Sequence, residues 1–505
     1  MNRRQFISAL AATAAATPLS AALATTPDWA AEFRAARAAK PWLVGLAGID
    51  GTRLETRALR LDGRLPPGLS GDFLRNGPAR HEVFGTRYHH WFDGDGMIQR
   101  FRIRDGKVAH LGRMVETEKF AAEQAAGRAL YDGFGTVLPG ARPVRRPDDM
   151  NVANINVLHH GGALYALWEG GSAYELDSES LDTIGRKVWS AETDGLPFSA
   201  HPRREADGTL WSFGYASTAQ ALILYRIDPR GQLIDRAVVP MDPVPMIHDF
   251  MVTARHLLIP LPPLFFQRDR PGSFLDRHTW QPDRGSRMLA VDKNDLSKRR
   301  IIEMSAHWVF HFGNAWEDEA GVIRFDMAAY DDPSIMFGPF RSLMRGVEAP
   351  ARPGRPVRVR LELAAATDVK VRFEALAPAD VAAEFPRIDS RLQGQRNDHV
   401  VMLSRRSDGA RHPFLNRVAR FDFQSGGWDV FDYGPNVIAE EHILVPDPAS
   451  DQETAGWVLG TSLDVEKQVT RLSVFDAGRL SDGPICVASL DYPLPLGLHG
   501  GFVKA

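Results

Sequence analysis

Four histidines, each in a short stretch of its own, carry the chemistry this chain can do. They are His201 in Ser199-Ala200-His201-Pro202, His248 in Met246-Ile247-His248-Asp249, His311 at the head of Phe310 to Glu317, and His499 in Gly497-Leu498-His499-Gly500-Gly501. Neutral imidazoles are ligands for Fe(II), Cu and Zn alike, so the donor type points to a transition metal without choosing it. Ligands scattered this widely cannot form a local metal finger. Only a closed or symmetric fold brings all four rings to one point, which predicts an all-β propeller with a metal on its axis. The chain has 16 histidines. For any one of them a structural or surface role is the ordinary expectation, and local context lifts it only for these four. No His-Glu-x-x-His, Gly-x-Ser-x-Gly or Gly-x-Gly-x-x-Gly is present, which weakens zinc-protease, serine-hydrolase and dinucleotide-binding readings.

The elements that must position such ligands read as strands. Phe101 to Val108, Tyr225 to Leu233, Phe421 to Trp428 and Val474 to Leu480 each place apolar alternation around an Asp/Gly turn, the pattern of an antiparallel hairpin with a buried face. Their irregular spacing suits propeller blades with insertions. A β-sandwich is the alternative, and it does not readily unite four distant ligands. Helix is expected from Thr117 to Leu130, with a short one at Asp380 to Phe385, as parts of a cap. Leu257 to Phe266 is too proline-rich for a helix; it is expected to line an apolar tunnel, rest on a membrane surface as a peripheral contact, or lie as a buried loop under the cap.

At 505 residues, 44% hydrophobic and 24% charged, the chain can bury a large core. A formal net charge of −3 gives no basic face for nucleic acid. Three segments are expected: a leader at 1–24, a linker at 25–44 and one propeller domain over 45–505. The leader holds Arg3-Arg4-Gln5-Phe6-Ile7, a weakly apolar Ala/Thr run and Ala22-Leu23-Ala24, which suits small-x-small cleavage. It reads as a twin-arginine export signal with the twin-arginine machinery as partner, departing from the pattern at Asn2, Ile7 and Ser8; a frayed amphipathic helix is the alternative. A soluble periplasmic protein follows, exported folded and loaded with its metal in the cytoplasm. With Cys486 as the one cysteine, no intramolecular disulfide is possible, and its apolar setting predicts a buried structural thiol.

Read together, Phe73 to Pro78, His90 to Met97, Leu167 to Gly171, Ser199 to Pro202, Ile247 to Phe250, His311 to Glu317, Glu384 to Asp389 and Leu498 to Gly500 resemble, in order and wording, the carotenoid cleavage oxygenase family. That family includes apocarotenoid and lignostilbene cleavage dioxygenases and the retinoid isomerase. The resemblance runs from about residue 45 onward. It implies a seven-bladed β-propeller with a helical and loop cap, a non-haem Fe(II) held by His201, His248, His311 and His499, and two open positions for O₂ and a hydrophobic alkene.

The resemblance further assigns Glu169, Glu384 and Glu441 to orient the ligands, paired in turn with His248, His311 and His499, because a ligating histidine usually donates its other N–H to a carboxylate. At Glu441 a solvated acidic pair with Glu440 is the alternative, since His442 stands where the family usually has Pro. Thr136 matches a position that crowds an open iron site, or is a turn threonine. Tyr88 and Lys119 lie where stilbene cleavers hold and ionise a phenol, although Lys119 also reads as a helix-surface residue, and Arg128 to Thr136 looks more like apocarotenoid cleavers. The expected activity is therefore oxidative cleavage of a conjugated C=C bond of a carotenoid or apocarotenoid, with hydroxystilbene cleavage as the alternative, an iron-dependent isomerase as a rival and a non-catalytic scaffold as the reading from another class.

Overall fold

The computed structural model describes residues 28–362, 369–406 and 410–505, so the 1–24 leader lies outside the described residues. Seven antiparallel sheets of four or five strands succeed one another along the chain and form a seven-bladed β-propeller. Blade 1 joins Arg53–Thr56, Lys107–Met114, Asp95–Arg104 and Gly71–Arg80 to Gly500–Lys504 from the far end of the sequence. Blade 7 is built from Val437–Pro446, Gly456–Asp464, Val469–Asp476 and Cys486–Ser489, and takes Arg60–Gly63 as its outer strand. Two adjacent blades thus each combine early and late sequence, and the ring is closed by hydrogen bonds at both.

The expected hairpins form. Arg104 pairs with Lys107 across Asp105 and Gly106, whose φ values of 50° and 70° are those of the tight turn that matches strand twist. Phe421 pairs with Trp428 across a longer loop, Asp422 to Gly427, closed by the Asp422 and Gly426 backbone. The stretch after Val474 is looser, since a 3₁₀ turn at Leu480–Asp482 intervenes before the strand returns at Cys486–Ser489.

Middle strands are apolar on both faces because each blade is stacked between two others. Along Ala221–Ile227, Ile223 and Tyr225 pack with Tyr165 and Leu167 of the preceding blade, whereas Leu222 and Leu224 pack with Leu257 and Ile259 of the next. Each fully buried aliphatic side chain is worth roughly 1.5–3 kcal/mol. The same logic corrects the reading of Leu257 to Phe266. Its residues form two strands, His256–Leu261 and Leu264–Phe266, with the side chains from Leu257 to Ile259, Leu261, Leu264 and Phe265 buried, so they offer no apolar face to a membrane. The buried expectation holds, in strands and not in a loop, and Phe266 at the end of the stretch reaches the cavity as the tunnel expectation required. Cys486 is fully buried, as expected.

Two helix expectations change. The first helix spans Glu118–Ala126, capped by the Thr117 hydroxyl on the Phe120 N–H and ended by Gly127 in the left-handed region, so it stops short of Leu130. Asp380 to Phe385 is not helical: Val381–Arg387 is the inner strand of blade 6, paired with His399–Arg406 and bulged between Glu384 and Arg387, with Phe385 at φ 56°. Ladder pairing outweighs the helical preference of Ala382, Ala383 and Glu384 there, and the bulge aims Glu384 at the axis.

Candidate metal centre

Every blade contributes one residue to the axis. His499 immediately precedes the inner strand of blade 1, Glu169 follows Ala163–Leu167 of blade 2, and His201 and His248 precede the inner strands of blades 3 and 4. His311, Glu384 and Glu441 lie within the inner strands of blades 5, 6 and 7. One ligand nitrogen from each histidine falls within 4.8 Å of those of the other three, so the four could hold a metal ion. The Nε2 atoms of His201 and His248 are 3.1 Å apart, and those of His248 and His311 3.3 Å. Gly500 is demanded by this packing: a Cβ there would sit 2.1 Å from the Leu74 carbonyl oxygen.

Three of the imidazoles are turned by the expected carboxylates. His248 Nδ1 donates to Glu169 at 2.5 Å, His311 Nδ1 to Glu384 at 2.5 Å and His499 Nδ1 to Glu441 at 2.8 Å, which leaves each Nε2 facing the axis. His201 has no carboxylate partner among the described residues. The carboxylates are themselves held. Tyr215 donates to Glu169 at 3.3 Å and Tyr330 to Glu384 at 3.0 Å. Arg387 grips both oxygens of Glu441 at 2.8 Å and the Gly500 carbonyl at 2.9 Å. Arg203 binds both oxygens of Asp249, tying the residues next to His201 and His248 together. Tyr215 and Tyr330 were not legible as site residues, because a tyrosine in a strand reads as core.

Glu440 is not half of a solvated acidic pair; it is buried and ion-paired with Arg75. His442 is accommodated by Gly460 directly opposite, where a Cβ would lie 2.3 Å from its ring.

The electrostatics favour neutral rings at two of the four positions. Burial, reinforced by the three neighbouring imidazoles, holds His201 well below the usual histidine range. Burial brings His499 down to about 3 against the pull of Glu441. Burial also opposes charge on His248, but the Glu169 carboxylate outweighs it and the ring is shifted upward. Glu441 is pushed up by burial yet held down to about 2 by Arg387 and His499. Neutral imidazole is the form that ligates.

The cluster opens into a cavity of about 580 Å³ walled by Phe92, Phe134, Trp168, Phe274, Phe310 and Phe340. His248, His311 and His499 form part of its lining. Phe385 lies on His311, ring centroids 5.1 Å apart. Ile155 lines the same cavity, and its carbonyl accepts the His499 N–H at 3.2 Å, so an apolar side chain stands beside a ligand.

Three expected site residues are elsewhere. Thr136 donates to Asp93 at 2.6 Å and accepts the His89 N–H at 2.7 Å; it is fully buried behind the cavity wall, and Phe134, two residues earlier, is what reaches the cavity. Lys119 is neither on the helix surface nor in the cavity. Its ammonium is buried, 2.8 Å from the Tyr88 hydroxyl and 2.9 Å from both Asp95 and Glu123. Burial raises the Tyr88 phenol beyond its ordinary range, whereas Lys119 keeps its proton against burial because Asp95 and Glu123 flank it. Neither residue lines the cavity.

A propeller with four axial imidazoles, three of them fixed by carboxylates, beneath an apolar cavity defines a class of protein whose axis could hold a metal ion. Residues 51–504 match the family described as retinal pigment epithelial membrane protein, and the chain belongs to this carotenoid oxygenase family. It is 29% identical to apocarotenoid-15,15'-oxygenase of Synechocystis sp., over 88% of this chain and 92% of the relative. It is 28% identical to isoeugenol monooxygenase of Pseudomonas nitroreducens, over 90% and 97% of the two chains. The crystal structure of cobalt-substituted Synechocystis apocarotenoid oxygenase superposes with a TM-score of 0.82 at 27% identity, covering 92% of this chain and 99% of that one. The family is one of oxygenases, which makes this chain an oxidoreductase.

Proposed function

We propose that the chain is an Fe(II) dioxygenase that cleaves a conjugated C=C bond of a carotenoid or apocarotenoid, exported to the periplasm through its twin-arginine leader. The observation that carries the reading is the opening of the four-histidine centre into an aromatic cavity whose lining includes no lysine among the described residues. With Tyr88 and Lys119 closed off in their own network, no ammonium is at hand to ionise a phenol. The donor set fits a divalent first-row ion, and reaction with O₂ favours iron over redox-inert zinc.

Iron, when bound, supplies the activation of O₂. The remaining tasks fall to the chain. An alkene has no group to chelate, so Phe134, Trp168, Phe310 and Phe340 must align it by apolar contact and keep water out. Glu169, Glu384 and Glu441 hold the imidazole rings at fixed angles. One C=C and one O=O bond break and two C=O bonds form, so both oxygen atoms appear in the carbonyl products and no proton is consumed.

The test is product analysis of iron-loaded protein under ¹⁸O₂, offering an apocarotenal and a hydroxystilbene in parallel. Two labelled carbonyl fragments from the apocarotenal are expected. Cleavage of the hydroxystilbene alone, isomerisation without oxygen uptake, or a folded protein that takes up no iron would each overturn the proposal.

A further inference from the structure

The cavity lining runs from His248 through Phe310, Phe92, Phe134 and Phe274, each ring touching the next, and it also takes in three cations, Arg142, Arg146 and Arg277. Arg146 is committed to Glu118 and Asp149. Arg341, just behind the same wall, is committed to Asp276. Arg142 and Arg277 differ, since among the described residues neither forms an ion pair, and the Nε of Arg277 is buried without a hydrogen-bond partner. Asp132 is the carboxylate on this wall, and one of its oxygens already accepts the Leu138 N–H at 2.8 Å. Two guanidiniums thus line a cavity whose nearby carboxylate is already engaged. A buried donor without a partner is costly, and a guanidinium fork matches a carboxylate better than any other common group.

Resting on the cleavage reading above, we infer that the preferred substrate is a polyene with a terminal carboxylate, and that Arg277 and Arg142 receive that end while the chain lies along the aromatic wall towards the histidines. The same contact sets which double bond reaches the metal centre, because a tethered end fixes how far along the chain that centre falls. Aldehyde or alcohol ends, being neutral, gain only ordinary hydrogen bonds from the same arginines.

Binding separates this inference from the reaction. Cis-parinaric acid, a conjugated tetraene carboxylate, and its methyl ester are titrated into iron-loaded protein under nitrogen, with energy transfer from the cavity tryptophans Trp91, Trp168 and Trp308 as readout. The acid is expected to bind about tenfold or more tightly than the ester, and added salt should narrow the difference. In Arg277→Met with Arg142→Met the acid should fall to the affinity of the ester. Arg142 is exposed, so Arg142→Met alone provides a variant that keeps the fold and loses part of the preference. Equal binding of acid and ester by the unaltered protein, or a preference that survives the double substitution, would overturn the inference. An acid preference without cleavage of any polyene would support the carboxylate site and count against the proposed reaction.

Discussion

Lys119→Met should unfold this protein sooner without changing which alkenes it cleaves. The methionine keeps the length of the buried stem, so no cavity opens, but three hydrogen bonds of 2.8–2.9 Å disappear. Asp95 and Glu123, whose side chains are each only 1% exposed, then face each other with no cation between them. Removing one partner of a buried ion pair costs about 3–5 kcal/mol. Unfolding entropy near 2.1 cal/mol/K per residue, over about 470 described residues, amounts to roughly 1 kcal/mol/K, so Tm should fall by about 3–5 °C. Scanning calorimetry measures that shift. On the folded variant, kcat/KM for an apocarotenal and for a hydroxystilbene should both stay within about threefold of the original, because neither Tyr88 nor Lys119 lines the cavity. An unchanged Tm together with a loss on the order of 10² confined to the phenolic substrate would refute the reasoning and return Lys119 to the substrate.

Glu384→Gln leaves His311 an acceptor but removes its charge, and metal affinity measured by chelator competition should drop about 10–100-fold while the protein stays folded; unchanged affinity would show that the 2.5 Å contact does not tune the ligand. Glu317, bonded to His256 and Arg255, has its carboxyl held down to about 2 from an ordinary 4.5 although burial alone would raise it. A depressed folded value stabilises the protein fully above pH 4.5 and is lost as pH falls towards 2, so Glu317→Gln should flatten the dependence of Tm on pH in that window, and an identical slope in both proteins would dismiss the role. Arg3→Lys together with Arg4→Lys should leave precursor in the cytoplasm on cell fractionation, whereas normal periplasmic accumulation would dismiss the export reading.

The four histidines were legible because each sits in a distinctive stretch and because only a ring of blades unites ligands so far apart. The carboxylates were legible through resemblance, and their geometry follows from blade position: Glu384 and Glu441 on inner strands, and Glu169 after the strand beside one, converge on the axis whatever their separation in sequence. Lys119 and Tyr88 were misplaced for the opposite reason. A lysine near the start of a helix reads as exposed or reactive, and nothing local announces that Asp95, from a strand of blade 1, and Glu123, one helical turn on, will enclose it. Thr136 failed because its hydroxyl is drawn to Asp93 and the His89 N–H, which holds it behind the wall while Phe134 reaches the cavity. Asp380 to Phe385 carries helical residue types, yet its ladder partners lie beyond the reach of any local pattern. Ile155 gave no signal, since one isoleucine between two asparagines looks like any other core residue.

The closing of blade 1 by Gly500–Lys504 couples two events that are separate in most metalloproteins. His499 enters the site only when that strand docks on Gly71–Arg80, so the fourth imidazole arrives in the same step that completes blade 1. During synthesis the first three histidines emerge from the ribosome well before the fourth, with no closed cage to retain an ion. A truncated chain lacking these last residues would keep the pairing of Arg60–Gly63 with Cys486–Ser489 in blade 7, yet lose the blade 1 closure and the fourth imidazole at once. If the cluster holds an ion, its retention would report on the docking of this last strand.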